Sequence, residues 1–124
     1  MGKLVDNTVL DGALNIIKNN CVSLIVCSDT PTTYANATAT YDLATVALAS
    51  GDVTVADDAG AGGGRKATIA EKAAITINHS GTATHIAIVS ASVLLYVTTC
   101  TSQALVAANT VTVPTWKIQI ADPT

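Results

Sequence analysis

The stretch that decides the fold is residues 74–99, AITINHSGTATHIAIVSASVLLYVTT. Apolar isoleucines alternate with polar residues over 75–78, which is the period of a strand whose side chains point to opposite faces. The turn-forming sequence NHSG occupies 78–81, and the alternation then resumes until a second break at 90–92. The next run, 93–99, is dense enough in apolar residues to be buried on both faces. We therefore predict a central meander of consecutive antiparallel strands over the whole stretch.

Shorter β-branched or alternating runs lie on both sides of this meander. The predicted strands are residues 21–27, 45–49, 52–56, 65–70, 110–113 and 115–120. The first of them, CVSLIVC, is a compact β-branched run that we predict to be a central strand. An extended excursion from residue 32 leads into the second of these strands, and residues 100–109 are predicted as a connection. Short strands at regular spacing, with turn residues between them, are typical of a β-sandwich or a flattened barrel. We predict a mainly β chain of about seven or eight mostly antiparallel strands.

The last predicted strand carries the lone tryptophan of the chain. Trp116, Ile118 and Ile120 share one face of this strand, opposite Lys117 and Gln119. We therefore expect Trp116 to anchor the core and not to serve as a platform for a ligand.

Residues 6–19 carry a helical periodicity. Apolar residues recur there at spacings of three and four and form one stripe: Val9, Leu10, Ala13, Leu14 and Ile17. Asp6 or Asn7 can cap the first turn. We predict an N-terminal α-helix that closes one side or end of the sheet, and docking on a partner is the alternative.

Length and composition exclude several classes of protein. A chain of 124 residues is long enough for one core, so we treat residues 1–124 as a single β domain. A net charge of −3 with scattered cations gives no basic face for nucleic acid. No apolar run approaches the roughly 20 residues that cross a bilayer, and no signal peptide is recognisable. Only 12% of residues are charged, which indicates either a surface covered in an assembly or a simply Ala-rich soluble domain.

The three cysteines do not form a disulfide framework. Cys21 and Cys27 would lie on the same face of one strand, about 20 Å apart. That separation is far beyond the reach of a disulfide. We expect these two and Cys100 to be reduced thiols that pack as small apolar side chains.

Residues 57–64, DDAGAGGG, form the clearest loop of the chain. They do not match a phosphate-binding loop, because the lysine comes one position late, a strand follows instead of a helix, and two aspartates would repel a phosphate. Glycines let a backbone deform at little steric cost, so we interpret the segment as a flexible hairpin loop and a candidate partner contact. That contact would use Gly60, Gly62, Gly63, Gly64, Arg65 and Lys66.

The remaining polar residues give no catalytic or metal motif. His79 and His85 lack the spacing of metal ligands, and we interpret them as a turn histidine and a half-buried strand histidine. The carboxylates Asp52, Asp57 and Asp58 lack the spacing of a calcium loop. No serine lies in a G-x-S-x-G turn. We therefore predict no catalytic residue, no metal and no cofactor, and we do not expect an enzyme.

Five segments carry a resemblance to known proteins. They are the opening DNTVLDGALNIIKNN, CSDTPTTYANATATYDLA, GRK after the glycine loop, SGTATHIAIV, and the stretch from LLYVTTCTSQAL to VPTWKIQIADPT. Together they cover most of the chain and resemble a family of small virion structural proteins of tailed bacteriophages. These signatures are structural, so the resemblance implies a virion component and transfers no functional residues.

Small size, low charge, a β domain and this resemblance lead to one hypothesis, a capsid decoration (cement) protein on the outer face of a phage head. Its partner would be the major capsid protein or another virion protein, and we expect the protein to be a homo-oligomer. We expect it to be made in the host cytoplasm and to be located in the virion. One alternative is a neck, tail or head-fibre component. Another is a carbohydrate-binding β-sandwich for host attachment, which is disfavoured because sugar sites usually display aromatic rings and only 3% of residues are aromatic.

Overall fold

A computed structural model describes residues 4–60 and 63–121. These residues form helix α1 (Asn7–Asn20) and nine strands: β1 (Ser23–Cys27), β2 (Asp42–Ala47), β3 (Val53–Asp57), β4 (Arg65–Ile69), β5 (Lys72–Thr76), β6 (Gly81–Val89), β7 (Leu94–Leu105), β8 (Thr110–Val113) and β9 (Trp116–Ile120). A π-helical turn spans Asn36–Thr40, and a 3-10 turn spans Ser50–Asp52. The chain is mainly β, with an N-terminal helix and antiparallel sheets as predicted, and its architecture is compatible with a β-sandwich.

Helix α1 packs its inner face on β3 and β4. Leu10, Leu14 and Ile17 are buried on that face, while Val9 is 69% exposed, so the buried stripe is narrower than predicted. The helix begins where the Asp6 carboxylate accepts a hydrogen bond from an amide of the first turn. The helix therefore covers one side of the β structure, which is the first of the two roles predicted for it.

The larger sheet has four antiparallel strands in the order β2, β1, β6, β7. Its strand β1 is central, as predicted, and is buried on both faces. Leu24 and Val26 belong to the main core, whereas Ile25 and Cys27 belong to a second apolar cluster. Because alternate side chains of a strand point to opposite faces, the two clusters lie on the two sides of the sheet. Burial on both sides explains the continuous apolar run of β1.

The segment before β2 belongs to this second cluster, and the prediction that it is extended is wrong. It forms the turn Asn36–Thr40, which is closed by a hydrogen bond from the Tyr41 amide to the Asn36 carbonyl, 2.8 Å long. Ala37 is fully buried, and the rings of Tyr34 and Tyr41 pack against the same cluster. The turn therefore covers the second cluster on one side of the larger sheet, and the local residue pattern does not reveal this tertiary contact. Strand β2 consequently begins and ends earlier than predicted.

Strands β4 and β5 pair with β9 and β8, and the register of β4 with β9 continues to Lys72 and then shifts at an irregularity before Ile75. The four strands therefore form one bent, two-stranded ribbon. Ile69 pairs with Trp116 on one side of the bend, and Lys72 pairs with Val113 on the other. Pro114 lies at the bend, where it does not interrupt a ladder. Strand β3 pairs with the other edge of β4. The ribbon and β3 therefore form the layer that faces the larger sheet across the main core.

The predicted meander is wrong in its first strand. Strand β5 pairs with β8 and not with β6, whereas β6 and β7 do pair across the predicted break at 90–92. After β5, Ile77 forms a bridge with Ala44 of β2, and two amides of the turn at 78–81 donate to the Leu43 carbonyl. The turn therefore leads the chain from the ribbon to the larger sheet. Its backbone amides are satisfied by the distant Leu43 carbonyl and not by a hairpin partner.

Strand β7 is longer and more exposed than predicted. It continues to Leu105, through most of the predicted connection at 100–109. Its apolar half, residues 94–98, is half-buried and not buried on both faces. The reason is that β7 lies at the edge of its sheet and, within residues 4–60 and 63–121, has a neighbouring strand on one side only.

The cysteines differ from the prediction in their placement. Cys21 lies directly after α1 and belongs to the main core, so it does not share a strand face with Cys27. Both thiols are buried, Cys100 is half-exposed, and all three are free. Burial raises the pKa of Cys27 to about 12. Cys27 is therefore a small apolar residue of the core, as predicted, although Cys21 does not lie in the same strand.

Candidate functional site

The two layers leave an open cleft between β7 and the β8–β9 part of the ribbon, which we call the seam. Its volume is about 410 Å³. One wall consists of residues 98–101 and Gln103, the other of residues 111–114, Trp116 and Lys117, and the floor of Val26, Ala83 and Ile86. The floor residues belong to the main core, so the seam leads into the space between the layers.

Unpaired strand edges border the seam. Among the described residues, β7 pairs only with β6, β8 only with β5, and β9 only with β4. The other side of the sandwich is joined by the Ile77–Ala44 bridge and by hydrogen bonds to the Leu43 carbonyl. The sandwich is therefore linked at one side and open at the seam, where the strand edges offer backbone donors and acceptors.

Strand β7 carries a bulge beside the seam. Three of its residues, 100–102, stand opposite the single residue Thr84 of β6. Two of the three, Cys100 and Thr101, line the seam. Extra residues bend a strand and re-aim its side chains, and such bulges are frequent at sheet edges and beside binding sites. The bulge therefore divides the edge of β7 in two, and a second shift of register lies near the start of the strand, between the pairs Ile88–Tyr96 and Val89–Leu94.

The lining of the seam is almost free of charge. Among the described residues that line the seam, Lys117 is the one charged residue, and the lysine ammonium lies 2.7 Å from the Asp58 carboxylate. Trp116 stacks on Tyr96 with ring centroids 6.0 Å apart, and its indole N–H is buried without a hydrogen-bond partner in the described part of the chain. Burial raises the pKa of the Cys100 thiol, so this thiol is protonated at neutral pH. An uncharged occupant with hydrogen-bond acceptors suits this lining.

The glycine loop that the sequence predicts as a partner contact is held at both described ends. The Asp58 amide donates to the Gly64 carbonyl at 3.0 Å, and the Gly63 amide donates to the Gly60 carbonyl at 3.1 Å. The side-chain amide of Gln119 donates to the Gly63 carbonyl at 2.9 Å. These bonds tie the loop to β9, so its ends do not have the freedom on which the prediction was based.

Close packing also restricts the end of the loop. Gly64 has a φ of 83°, and a Cβ at this position would overlap the Ile120 carbonyl oxygen. Only glycine combines this backbone conformation with so close a neighbour. Lys66 is half-buried, and Gly62 lies outside the described residues. A partner contact at this loop stays a prediction.

Arg65 of the predicted contact is already bound within the protein. Its Nε lies 2.7 Å from an Asp11 carboxylate oxygen, and its Nη1 lies 2.7 Å from an Asp57 oxygen. Hydrogen bonds to these carboxylates raise the pKa of Arg65, and the bond to Asp11 has the largest effect. The guanidinium thus links α1 to the start of the loop and is not a free cation for a partner.

Each of the aspartates near the loop is paired with a cation. Asp52 is paired with Lys72 and Asp58 with Lys117, each with a nearest distance of 2.7 Å, and these lysines lower the pKa values of their partners. Asp57 is the second partner of the arginine described above. In the described ranges no group of three or more His, Cys, Asp or Glu side chains is placed to hold a metal ion.

The two histidines occupy the positions expected of them. His79 lies in the exposed turn, where its Nδ1 is 2.9 Å from the Asp42 carbonyl oxygen. His85 is half-buried in β6 between the hydroxyls of Thr30 and Thr84, at 3.0 and 2.8 Å. Both rings therefore make hydrogen bonds that hold local structure.

Sequence reasoning missed the seam. One signal was present, because the uncharged residues TCTSQAL continue the strand far beyond its predicted end at residue 99. A second was Trp116, which packs against the core as predicted but is only half-buried, because it also lines the seam. Neither signal shows that two unpaired edges meet, since that depends on how the layers are joined.

Comparison of the chain with protein-family models, with curated proteins and with solved structures finds no match in any of the three. Within the described residues, no helix has both the length and the apolar character needed to span a membrane.

Proposed function

We propose that this chain is a structural protein of a tailed-phage particle, most specifically a capsid decoration (cement) protein that binds the outer surface of the head. The observation that carries the proposal is the seam. A cleft whose lining lysine is paired with Asp58, and which lies between unpaired strand edges, offers both apolar surface and backbone hydrogen bonds, which are the groups that recognise another polypeptide. The five segments that resemble phage virion proteins support the placement in a particle.

The protein would act by linkage and not by catalysis. Its partner is the major capsid protein or another virion protein, and repeated copies bind across the joints between subunits as a homo-oligomer. A protein that binds the assembled shell but not free subunits stabilises the shell by mass action, by about 2.7 kcal/mol per site at a free concentration 100 times Kd. Because only 12% of residues are charged, we expect apolar and backbone contacts with a weak dependence on salt.

The test is to add the purified protein to phage heads that lack it. Binding at one defined stoichiometry, together with a higher temperature of head disruption, is the expected result. Stoichiometric binding without a gain in stability would replace the cement role by display or host attachment. Failure to bind heads would indicate a neck, tail or head-fibre component. The number of copies in the mature particle separates these cases independently, because a head lattice takes many more copies than a neck or tail tip.

A further inference from the structure

We propose that the seam holds an extended, uncharged segment of a partner polypeptide, which pairs with the edge of β7 and closes the open side of the sandwich. The inference rests on the proposed function, because it names the contact by which the particle would hold this protein. The occupant is a strand contributed by another virion protein, and not a small ligand or a second copy of this chain.

The borders of the seam meet the requirements for an added strand. Such a strand needs an unpaired edge for its backbone and a place for alternate side chains. The edge of β7 supplies the first, and the floor of Val26, Ala83 and Ile86 supplies the second. Because the unpaired edges of β8 and β9 lie across the same cleft, one inserted segment is bordered on both sides by backbone.

The chemistry of the lining specifies the segment. The ammonium of Lys117 is neutralised by Asp58, so a charged side chain pointing into the seam would be buried without a partner. The unpartnered indole N–H of Trp116 needs an acceptor, and a peptide carbonyl provides one. The inward side chains of the segment are therefore uncharged, and its backbone supplies the polar contacts.

The sequence of β7 is unusual for an edge that stays in water. Exposed edges are normally protected by lysine, by other charges or by proline, and LLYVTTCTSQAL contains none of these. Its protective features are two irregularities of register, the bulge at 100–102 and a shift near its start, where Ile88 pairs with Tyr96 but Val89 pairs with Leu94. A 12-residue edge without charge is suited to a strand that is covered in the assembled particle. The absence of charge from β7 and its pairing on one side are properties of the strand itself and do not depend on the volume of the cleft.

The experiment uses the full-length protein with heads that lack it. It measures amide exchange, alkylation of Cys100 and the binding of two variants. Amide exchange in β7 should slow by about tenfold or more on binding, and alkylation of Cys100 should slow similarly, whereas exchange in α1 should not change. Thr101→Lys places a charge in the seam and should weaken binding by about tenfold or more. Thr54→Lys adds the same charge at an exposed position of β3 outside the seam and should bind like the wild type. Equal unfolding temperatures of the two variants confirm that both fold.

Each result decides the proposal. If heads bind the protein but β7 exchanges as fast as before, the seam is not the contact, and the proposed function stands without it. If heads do not bind the protein, the cement role fails, and overlapping 12-residue peptides covering the proteins of the particle become the probe. A peptide that shifts the fluorescence emission of Trp116, slows amide exchange in β7 and does not bind the Thr101→Lys variant would support insertion of a strand into the seam. If no peptide does so, the proposal is refuted. Protection of β7 in a dimer of the free protein would show that the occupant is a second copy.

Discussion

Replacing Gly64 by alanine tests whether the glycine loop is held against β9 as the structure describes. The residue has a φ of 83°, and an added Cβ would overlap the Ile120 carbonyl oxygen and lie 2.9 Å from the Ala121 Cα. A left-handed backbone costs a non-glycine residue about 1–2 kcal/mol. Overpacking typically adds about 1–3 kcal/mol, so we expect Gly64→Ala to lower the free energy of unfolding by about 2–5 kcal/mol.

The assay is thermal unfolding followed by circular dichroism. For a domain of this size, 1 kcal/mol corresponds to about 4 °C, so Gly64→Ala should lower the Tm by roughly 8–20 °C. Gly12→Ala is the matched control, because it adds the same methyl group in α1 where no atom outside the adjoining helix backbone lies within 4 Å. That change should raise the Tm by roughly 2–4 °C, since alanine favours a helix by up to about 1 kcal/mol over glycine. A Gly64→Ala variant that melts within about 2 °C of the wild type would refute the close approach of the loop to β9.

Three further predictions concern the core, the thiols and acid stability. Leu14→Ala should cost about 2–5 kcal/mol in chemical unfolding, whereas Val9→Ala on the exposed side of α1 should cost under about 0.5 kcal/mol; equal losses would mean that the helix does not cover the core. At pH 8, iodoacetamide should modify Cys100 well before Cys27, whose thiol is buried with a pKa of about 12, and a native disulfide found by mass spectrometry would contradict the placement of the cysteines. The lowered pKa of Asp58 contributes stability that is present above about pH 4 and is lost as the pH falls through the folded-state pKa. The free energy of unfolding of Asp58→Asn should therefore fall less steeply with decreasing pH than that of the wild type.

Local signals predicted much of the secondary structure. The stripe of Leu10, Leu14 and Ile17 predicted α1, because a helix brings residues at these spacings onto one face. The apolar run of β1 predicted a central strand, and the break at 90–92 predicted the pairing of β6 with β7. The pattern that specifies each of these features is contiguous in the chain, even though β1 pairs with the distant strand β6.

The prediction was wrong where a segment is stabilised by distant partners. The turn at 78–81 has the composition of a hairpin, yet β5 pairs with a strand more than thirty residues away and the turn is bound by Leu43. The turn Asn36–Thr40 packs its buried alanine against the face of a sheet formed by other segments. Arg65, taken for a partner contact, is bound by a helix residue 54 positions earlier in the chain. None of these partners is adjacent in sequence, so periodicity and turn composition carry no information about them.

For this protein, the sequence by itself determined the mainly β class, the N-terminal helix with its buried stripe, the central position of β1 and the low charge of the surface. These follow from side-chain chemistry and from the periods of helix and strand. Only the tertiary structure decided that β5 joins the ribbon, that β7 is an unpaired edge and that the seam lies open beside Trp116. The physical reason is that a strand edge is paired or unpaired according to which distant strand reaches it, and no residue of β7 encodes that choice alone.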